Sequence, residues 1–353
     1  MSGDLAARFR RLIADVGPIS VTRFMGESNA RYYATRDPFG APGESGGGDF
    51  VTAPEISQMF GELAGLWLAE LWDRAGRPAD AIYAELGPGR GTLAKDALRA
   101  MAGAGLRPQA HLIEASPTLR AIQADALPNA IFHADAGSLP EHAPLLMLAN
   151  EFLDALPVRQ LVRTEAGWRE RMVAIDGDGF AFVAGFQPVE FAPPPALSDS
   201  PVGTIVETNP GAAAVVEEIA KRLARQGGAA LFFDYGHLAT RTGSTLQAVR
   251  AHRKVDPLAA PGEADLTAHV DFAALAKIAT AAGCIVRTAP QGDWLETMGI
   301  GLRAEALARA APKRAGEIQV SKNRLVSPAQ MGKLFKVMAI TGPSWPAGVG
   351  FSR

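Results

Sequence analysis

The sequence predicts an open α/β domain on a largely parallel sheet, with helices ahead of it and an antiparallel insertion within it. Three observations carry that reading. Apolar runs of strand length occur at "AIYAELG" (81–87), "AHLIEA" (110–115), "NAIFHAD" (129–135), "PLLMLAN" (144–150) and "AALFFDYG" (229–236). Runs of that kind mark strands buried on both faces. Helix-compatible segments separate the first three runs, as a parallel sheet requires. Between the fourth and fifth runs, residues 159–185 alternate apolar and polar residues around Gly177-Asp178-Gly179, the pattern of an antiparallel hairpin.

Taken in order, residues 5–16 form an amphipathic helix with Leu5, Phe9, Leu12, Ile13 and Val16 on one side. Arg8, Arg10 and Arg11 give it a slight transit-peptide look, which Asp4 and Asp15 oppose. Residues 35–50 are rich in glycine and proline and read as a mobile loop, with Gly46-Gly47-Gly48 as a hinge. Thr52 and Glu55 have capping-box spacing, with Pro54 in the first turn. Ile56, Met59, Phe60, Leu63, Leu66, Trp67 and Leu71 then recur at helical spacing. Residues 191–203 read as a flexible connection, 209–226 as a helix and 237–268 as a long loop. A helix closed by Gly283, another near 303–311 and a strand in "KLFKVMAIT" complete the chain. The division expected is an N-terminal helical extension and lid over 1–80 and a main domain over 81–353, with insertions near 158–208 and 237–268.

The totals narrow the function. Hydrophobic residues make up 48% of 353, enough for a sizeable core, and the net charge of −2 comes without a basic stripe, which speaks against nucleic acid. The single cysteine, Cys284, closes no internal disulfide, and no Cys/His cluster has metal-ligand spacing, so no metal is expected. No apolar run reaches the length of a bilayer span, so no stable membrane insertion is expected.

Each apolar run ends in an acidic, amide or glycine residue, and open parallel sheets collect ligands at the carboxyl ends of their strands. Glu85, Glu114, Asp135, Asn150, Glu151 and Asp234 are thereby expected on one rim. The sharpest motif is "ELGPGRGTL" (85–93). A phosphate-binding loop needs lysine after its last glycine, but Thr92 follows Gly91. A dinucleotide fingerprint needs G-x-G-x-x-G, but Gly87, Gly89 and Gly91 give G-x-G-x-G, and Glu85 would oppose a pyrophosphate. A ligand with a cationic centre suits Glu85 better. S-adenosyl-L-methionine carries a sulfonium and an ammonium, and its adenosine would find Glu114 at the ribose hydroxyls and Asp135 at the adenine amino group. The turn residues expected to hold it are Gly87, Pro88, Gly89, Gly91, Thr92 and Leu93. The competing reading makes Glu114 and Asp135 plain helix caps.

The blocks "GDFVTAPEISQMFGE" (48–62), "ELGPGRGTL" (85–93), "ANEFLDALPV" (149–158) and "PGEADLTAHVDF" (261–272) together resemble the signature blocks of the MidA family, the mitochondrial complex I assembly methyltransferase and its bacterial relatives. The resemblance implies a Rossmann-like class I methyltransferase fold, a seven-stranded, mostly parallel sheet with a reversed last strand. It also implies S-adenosyl-L-methionine-dependent methylation of an arginine in a partner protein, a complex I core subunit in the mitochondrial member. The setting implied is the bacterial cytoplasm or the mitochondrial matrix, and a homodimer is compatible with it.

Arginine is effectively always protonated, so an enzyme must hold the guanidinium with carboxylates and leave one nitrogen facing the methyl group. Glu151 is the first candidate clamp and Asp154 the second, with Asn150 beside them. His237 is a candidate for proton removal, and Glu62, Asp265 and His269 for lining the acceptor channel. Two alternatives stay open: an assembly chaperone that keeps the fold without the chemistry, and a methyltransferase with a small-molecule acceptor. A nicotinamide-dependent oxidoreductase is disfavoured by the glycine spacing.

Overall fold

The computed structural model describes residues 4–35, 51–191 and 197–351. The expected loop over 36–50, with its Gly46-Gly47-Gly48 hinge, and the proline-rich part of the 191–203 connection lie outside the described residues. Two compact units emerge: one from residues 51–152, 213–239 and 271–353, the other from 1–50, 153–212 and 240–270. The helix over residues 58–74, on the extension side of the boundary expected at residue 80, belongs to the first unit.

The first unit is built on strands β1 Ile82–Leu86, β2 Gln109–Ile113, β3 Ile131–His133, β4 Leu145–Asn150, β5 Gly228–His237, β6 Ile285–Pro290 and β7 Phe335–Thr341. They run in the spatial order β3-β2-β1-β4-β5-β7-β6, with the two-residue strand Val270–Asp271 pairing off this path. Strands β1 to β5 pair in parallel, while β7 runs antiparallel to both β5 and β6. The sheet is therefore parallel with one reversed strand, the last in sequence. Strand β6 was not anticipated, because "IVRTAP" has a polar middle and an exposed arginine rather than an unbroken apolar run.

Burial explains the apolar runs. Leu145, Leu146, Met147 and Leu148 of β4 are all fully buried, so both sheet faces are covered. On one face the helix Gln58–Arg74 brings Phe60 and Trp67 into a core with Tyr83, Leu146, Leu231, Phe233 and Trp294. Phe60 meets Phe233 edge-on at 4.8 Å, and Phe233 meets Trp294 at 5.2 Å. The expected capping box is not formed. Thr52 precedes only the four-residue helix Ala53–Ile56 and makes no side-chain cap bond. The chain breaks at Ser57, whose hydroxyl accepts from the Met59 N–H at 3.2 Å and starts the longer helix. Glu55 instead accepts from the Thr92 hydroxyl at 2.5 Å, because packing places it beside the glycine turn.

The second unit contains the helices Leu5–Val16 and Val21–Thr35. Phe9 and Phe24 stack at 5.0 Å, with Phe180 edge-on to both. The alternating segment forms three strands, Arg159–Thr164, Gly167–Asp176 and Gly179–Pro188, with the second turn at Gly177-Asp178. Ile205–Thr208 pairs with Arg159–Thr164 and Ile19–Ser20 with Gly167–Asp176, giving a five-stranded antiparallel sheet rather than a lone hairpin. Residues 237–268 are likewise not a plain loop. Gln247–Arg250, Arg253–Val255 and Asp265–Thr267 form a three-stranded antiparallel sheet, whose short strands carry too few residues to show alternation.

Candidate functional site

The glycine turn follows β1 directly. Gly87, Gly89 and Gly91 all take positive φ, at +59°, +54° and +81°, a conformation that costs other residues strain. The Gly87 N–H donates to the Ile113 carbonyl at 3.0 Å, tying the turn to the end of β2, and the Gly91 N–H closes onto the Pro88 carbonyl at 2.7 Å. Gly91 is the cap of the helix Thr92–Gly103, so the first-turn N–H groups of that helix face the same region as the turn. Leu93 is buried in the core, where it anchors the helix. A Cβ at Gly87 would lie 2.8 Å from Cδ2 of Phe152, so the turn and the segment after β4 are in contact.

Glu85 lies two residues ahead of Gly87 in β1 and is buried. Only 2% of it is exposed, and its carboxylate accepts from the Tyr83 hydroxyl two residues earlier on the same strand face. Burial pushes its carboxyl up to about 8, with the Tyr83 bond opposing that shift. Tyr83 itself is held well above the usual phenol range by burial and by Glu85, so its O–H remains a donor.

Glu114 is the first residue past β2 and is half-buried. Its Oε1 accepts from the Ser116 N–H at 2.8 Å and its Oε2 from Gln123 Nε2 at 3.3 Å, while its own N–H donates to the His133 carbonyl at 3.2 Å. Asp135 is exposed and caps the short turn Ala136–Ser138, accepting from the Ser138 N–H at 3.2 Å with Oδ1. One of its two oxygens thus does what the capping alternative expected.

At the end of β4, Asn150 Nδ2 donates to Glu151 Oε1 at 3.1 Å. Glu151 sits at φ +51°, uncommon for a residue with a side chain, and its N–H donates to the Phe233 carbonyl of β5 at 2.9 Å. Asn150 Oδ1 is buried without a hydrogen-bond partner among the described residues. A strained backbone beside an unsatisfied acceptor is the combination expected where a ligand completes the structure. His237 closes β5, with Nδ1 at 2.7 Å from the Ala239 carbonyl and 3.8 Å from Asp271 Oδ1. In the neutral ring Nδ1 therefore carries the proton and Nε2 keeps its lone pair. Asp234, expected on the same rim, is buried inside β5, where Oδ1 accepts the Tyr235 N–H at 2.8 Å.

Glu62, expected to line the acceptor channel, is held by protein partners. Arg303 pairs with both its oxygens at 2.8 Å, Gln58 donates at 3.0 Å and Arg99 lies at 3.3 Å. Two of the partners, Arg99 and Arg303, are far from it in sequence, and the carboxylate ion-pairs its own helix with theirs. Asp154, Asp265 and His269 belong to the second unit. Asp154 and Asp265 are buried, the Tyr33 hydroxyl donates to Asp265 Oδ1 at 2.8 Å, and the His269 N–H donates to Thr245 Oγ1 at 2.8 Å. Burial first, then Asp265 and Asp154, hold the Tyr33 hydroxyl well above its ordinary range. Sequence reasoning did not single out Tyr33, Tyr83, Gln123 or Phe152. Of these only Tyr83 had a local signal, its i−2 spacing from Glu85 on a strand.

The sheet order, its reversed last strand, the glycine turn after the first strand and the acid after the second define an S-adenosyl-L-methionine-dependent methyltransferase. The turn is compatible with that cofactor: all three glycines take a positive φ that a side chain would strain, and Glu114 stands at the neighbouring strand end. The comparisons narrow the class. Residues 63–289 match the family described as "Putative S-adenosyl-L-methionine-dependent methyltransferase", and the chain belongs to that family. It is 36% identical over 96% of its length, and 85% of the relative's, to the protein arginine methyltransferase NDUFAF7 homolog, mitochondrial, of Drosophila melanogaster. It is 34% identical to the Homo sapiens mitochondrial protein arginine methyltransferase NDUFAF7, across 93% of this chain and 81% of that one. A Burkholderia thailandensis protein solved bound to S-adenosyl-homocysteine superposes with a TM-score of 0.86 at 31% identity, covering 99% of this chain and 94% of that one.

Proposed function

We propose that this chain methylates an arginine side chain of a partner protein, with a complex I core subunit as the acceptor. The observation that carries the reading is identity of 34–36% across at least 93% of the chain to proteins named protein arginine methyltransferase. The acidic, strained end of β4 supports it. S-adenosyl-L-methionine, when bound, supplies an electrophilic methyl group on a cationic sulfur.

The residues proposed to hold that cofactor are the Gly87–Gly91 turn with Thr92, and Glu114 at the ribose. Glu85 gives a negative potential under the turn once ionised. Asp135 keeps one oxygen for the adenine amino group. The acceptor guanidinium is a planar cation, and Glu151 suits it because a carboxylate pairs two N–H donors side by side. Asn150 fixes that carboxylate from one side and offers Oδ1 as a further acceptor. Transfer to a guanidinium nitrogen displaces a proton, and His237 Nε2 has the lone pair to take it. Asp154 stays the second candidate for the guanidinium clamp, and Asp265, which accepts from the Tyr33 hydroxyl, and His269 stay candidates for binding the acceptor. The setting is the bacterial cytoplasm or the mitochondrial matrix.

The test uses purified protein, labelled S-adenosyl-L-methionine and a recombinant complex I core subunit. Methylarginine in the subunit is the expected product. Glu151→Gln is expected to leave cofactor affinity unchanged and to cut turnover by about 100-fold or more. A bound but unmethylated subunit would replace the enzyme with a chaperone, and label confined to small molecules would replace the protein acceptor.

A further inference from the structure

The helix Pro117–Ala126 lies beside all three strand-end segments proposed to carry the cofactor, and two of its side chains, one turn apart, tie those segments together. Gln123 is fully buried. Its Nε2 donates to the Gly89 carbonyl at 2.7 Å and to Glu114 Oε2 at 3.3 Å. Because both partners are acceptors, the amide nitrogen must be the group that faces them. Its Oε1 is buried without a partner among the described residues. Arg120 donates through Nε to the Glu114 carbonyl at 2.6 Å and through a terminal nitrogen to the His133 carbonyl at 2.8 Å. The pair therefore fixes the middle of the glycine turn, both ends of Glu114 and the end of β3 relative to one another.

The geometry points to Gln123 as a positioning residue for the nucleoside half of the cofactor, a role that rests on placing the ribose at Glu114. Glu114 sits after the regular part of β2, so strand pairing alone does not orient its carboxylate. With Ser116 holding Oε1, the Gln123 amide holds Oε2 and couples its direction to the position of Gly89. A ribose bridging the two then meets a carboxylate already aimed, and less ordering cost falls on binding. A buried amide with one orphaned oxygen is expensive as a packing residue alone, which favours a role in aiming Glu114.

The test is a double-mutant cycle on S-adenosyl-homocysteine affinity, measured by calorimetry on the full chain. Gln123→Leu removes the donor, and Gln123→Glu keeps the shape but sets a second carboxylate against Glu114. Melting temperatures show that each variant is folded. The expected result is a rise in Kd of about tenfold for Gln123→Leu and a larger one for Gln123→Glu. In a Glu114→Ala background, Gln123→Leu should raise Kd by clearly less than it does in the native chain, because the carboxylate it aims is gone and only its bond to the Gly89 carbonyl remains to be lost. Turnover at saturating cofactor should change little, so the effect appears in KM for the cofactor rather than in kcat. Unchanged affinity in Glu114→Ala alone would remove the ribose from that carboxylate, and the inference with it. A loss in Glu114→Ala with full additivity, or with unchanged affinity in both Gln123 variants, would overturn the positioning role and leave the ribose site standing.

Discussion

Replacing Gly65 by alanine tests the packing that holds the glycine turn in place. Gly65 lies in the helix Gln58–Arg74 against the helix Thr92–Gly103, which starts at the turn. An added Cβ would fall 2.4 Å from the Ala97 carbonyl oxygen, 2.6 Å from its Cα and 2.9 Å from its carbonyl carbon. All three atoms are backbone, so no rotamer change relieves the clash. Restoring ordinary contact at 3.4 Å requires the helices to part by about 1 Å. Helix propensity favours alanine over glycine by about 1 kcal/mol. Overpacking against backbone costs about 3 kcal/mol, at the upper end for inserted methyl groups, so the net expectation is a loss of about 2 kcal/mol. Gly316→Ala is the control: it too lies in a helix, nothing stands within 4 Å of its Cβ position, and propensity acts alone. Urea unfolding followed by tryptophan fluorescence compares the two, since Trp67 and Trp72 are on the affected helix. A Gly65→Ala protein as stable as the Gly316→Ala protein would refute the close approach of these helices.

Three further outcomes follow from the site. Gly87→Val places a side chain against Phe152 at a φ of +59°, and S-adenosyl-homocysteine binding should fall below detection while the far-ultraviolet circular dichroism keeps its shape; normal affinity would separate the turn from the cofactor. Glu85 is raised from 4.5 to about 8, so the folded state keeps a proton that the unfolded chain releases near pH 4.5. Its contribution to stability is full below pH 4.5, declines as pH rises through that window and is lost above about 8. Glu85→Gln, which stays neutral and still accepts from Tyr83, should gain on the native protein between pH 5 and 8, and parallel urea midpoints across that range would be the contrary result. Glu62→Gln weakens an ion pair whose arginine is 36% exposed, so stability should fall by only about 1 kcal/mol with KM for the acceptor unchanged. A raised acceptor KM would return Glu62 to the substrate site.

Much of the first unit was legible in the sequence because its physics is local. β1, β2, β4 and β5 are buried on both faces along most of their length, and burial of that kind writes continuous apolar runs, while β3 is an edge strand with Ile131 exposed. The turn "GPGRG" was legible because three positive φ angles admit little but glycine. β6 was not, since an outer strand with Arg287 exposed leaves no apolar run. The strands within 237–268 are three and four residues long, below the length at which a period of two can be seen. The capping box at Thr52 failed although the motif was present, because Glu55 found a better donor in Thr92.

Glu62 and Gln123 show where local reading ends. A glutamate among apolar helical residues is compatible with a substrate contact and with an ion pair alike. Only the fold brings Arg303 to it across 241 positions. Gln123 looks like an ordinary polar residue on a short helix until Gly89 and Glu114 are seen on either side of its amide. By itself the sequence determined the long buried strands and the glycine bend, since a continuous apolar run and a backbone angle that favours glycine are written in consecutive residues. Strand order, ion-pair partners and the aim of each carboxylate were decided by tertiary structure, since each depends on the distance between residues that packing alone brings together.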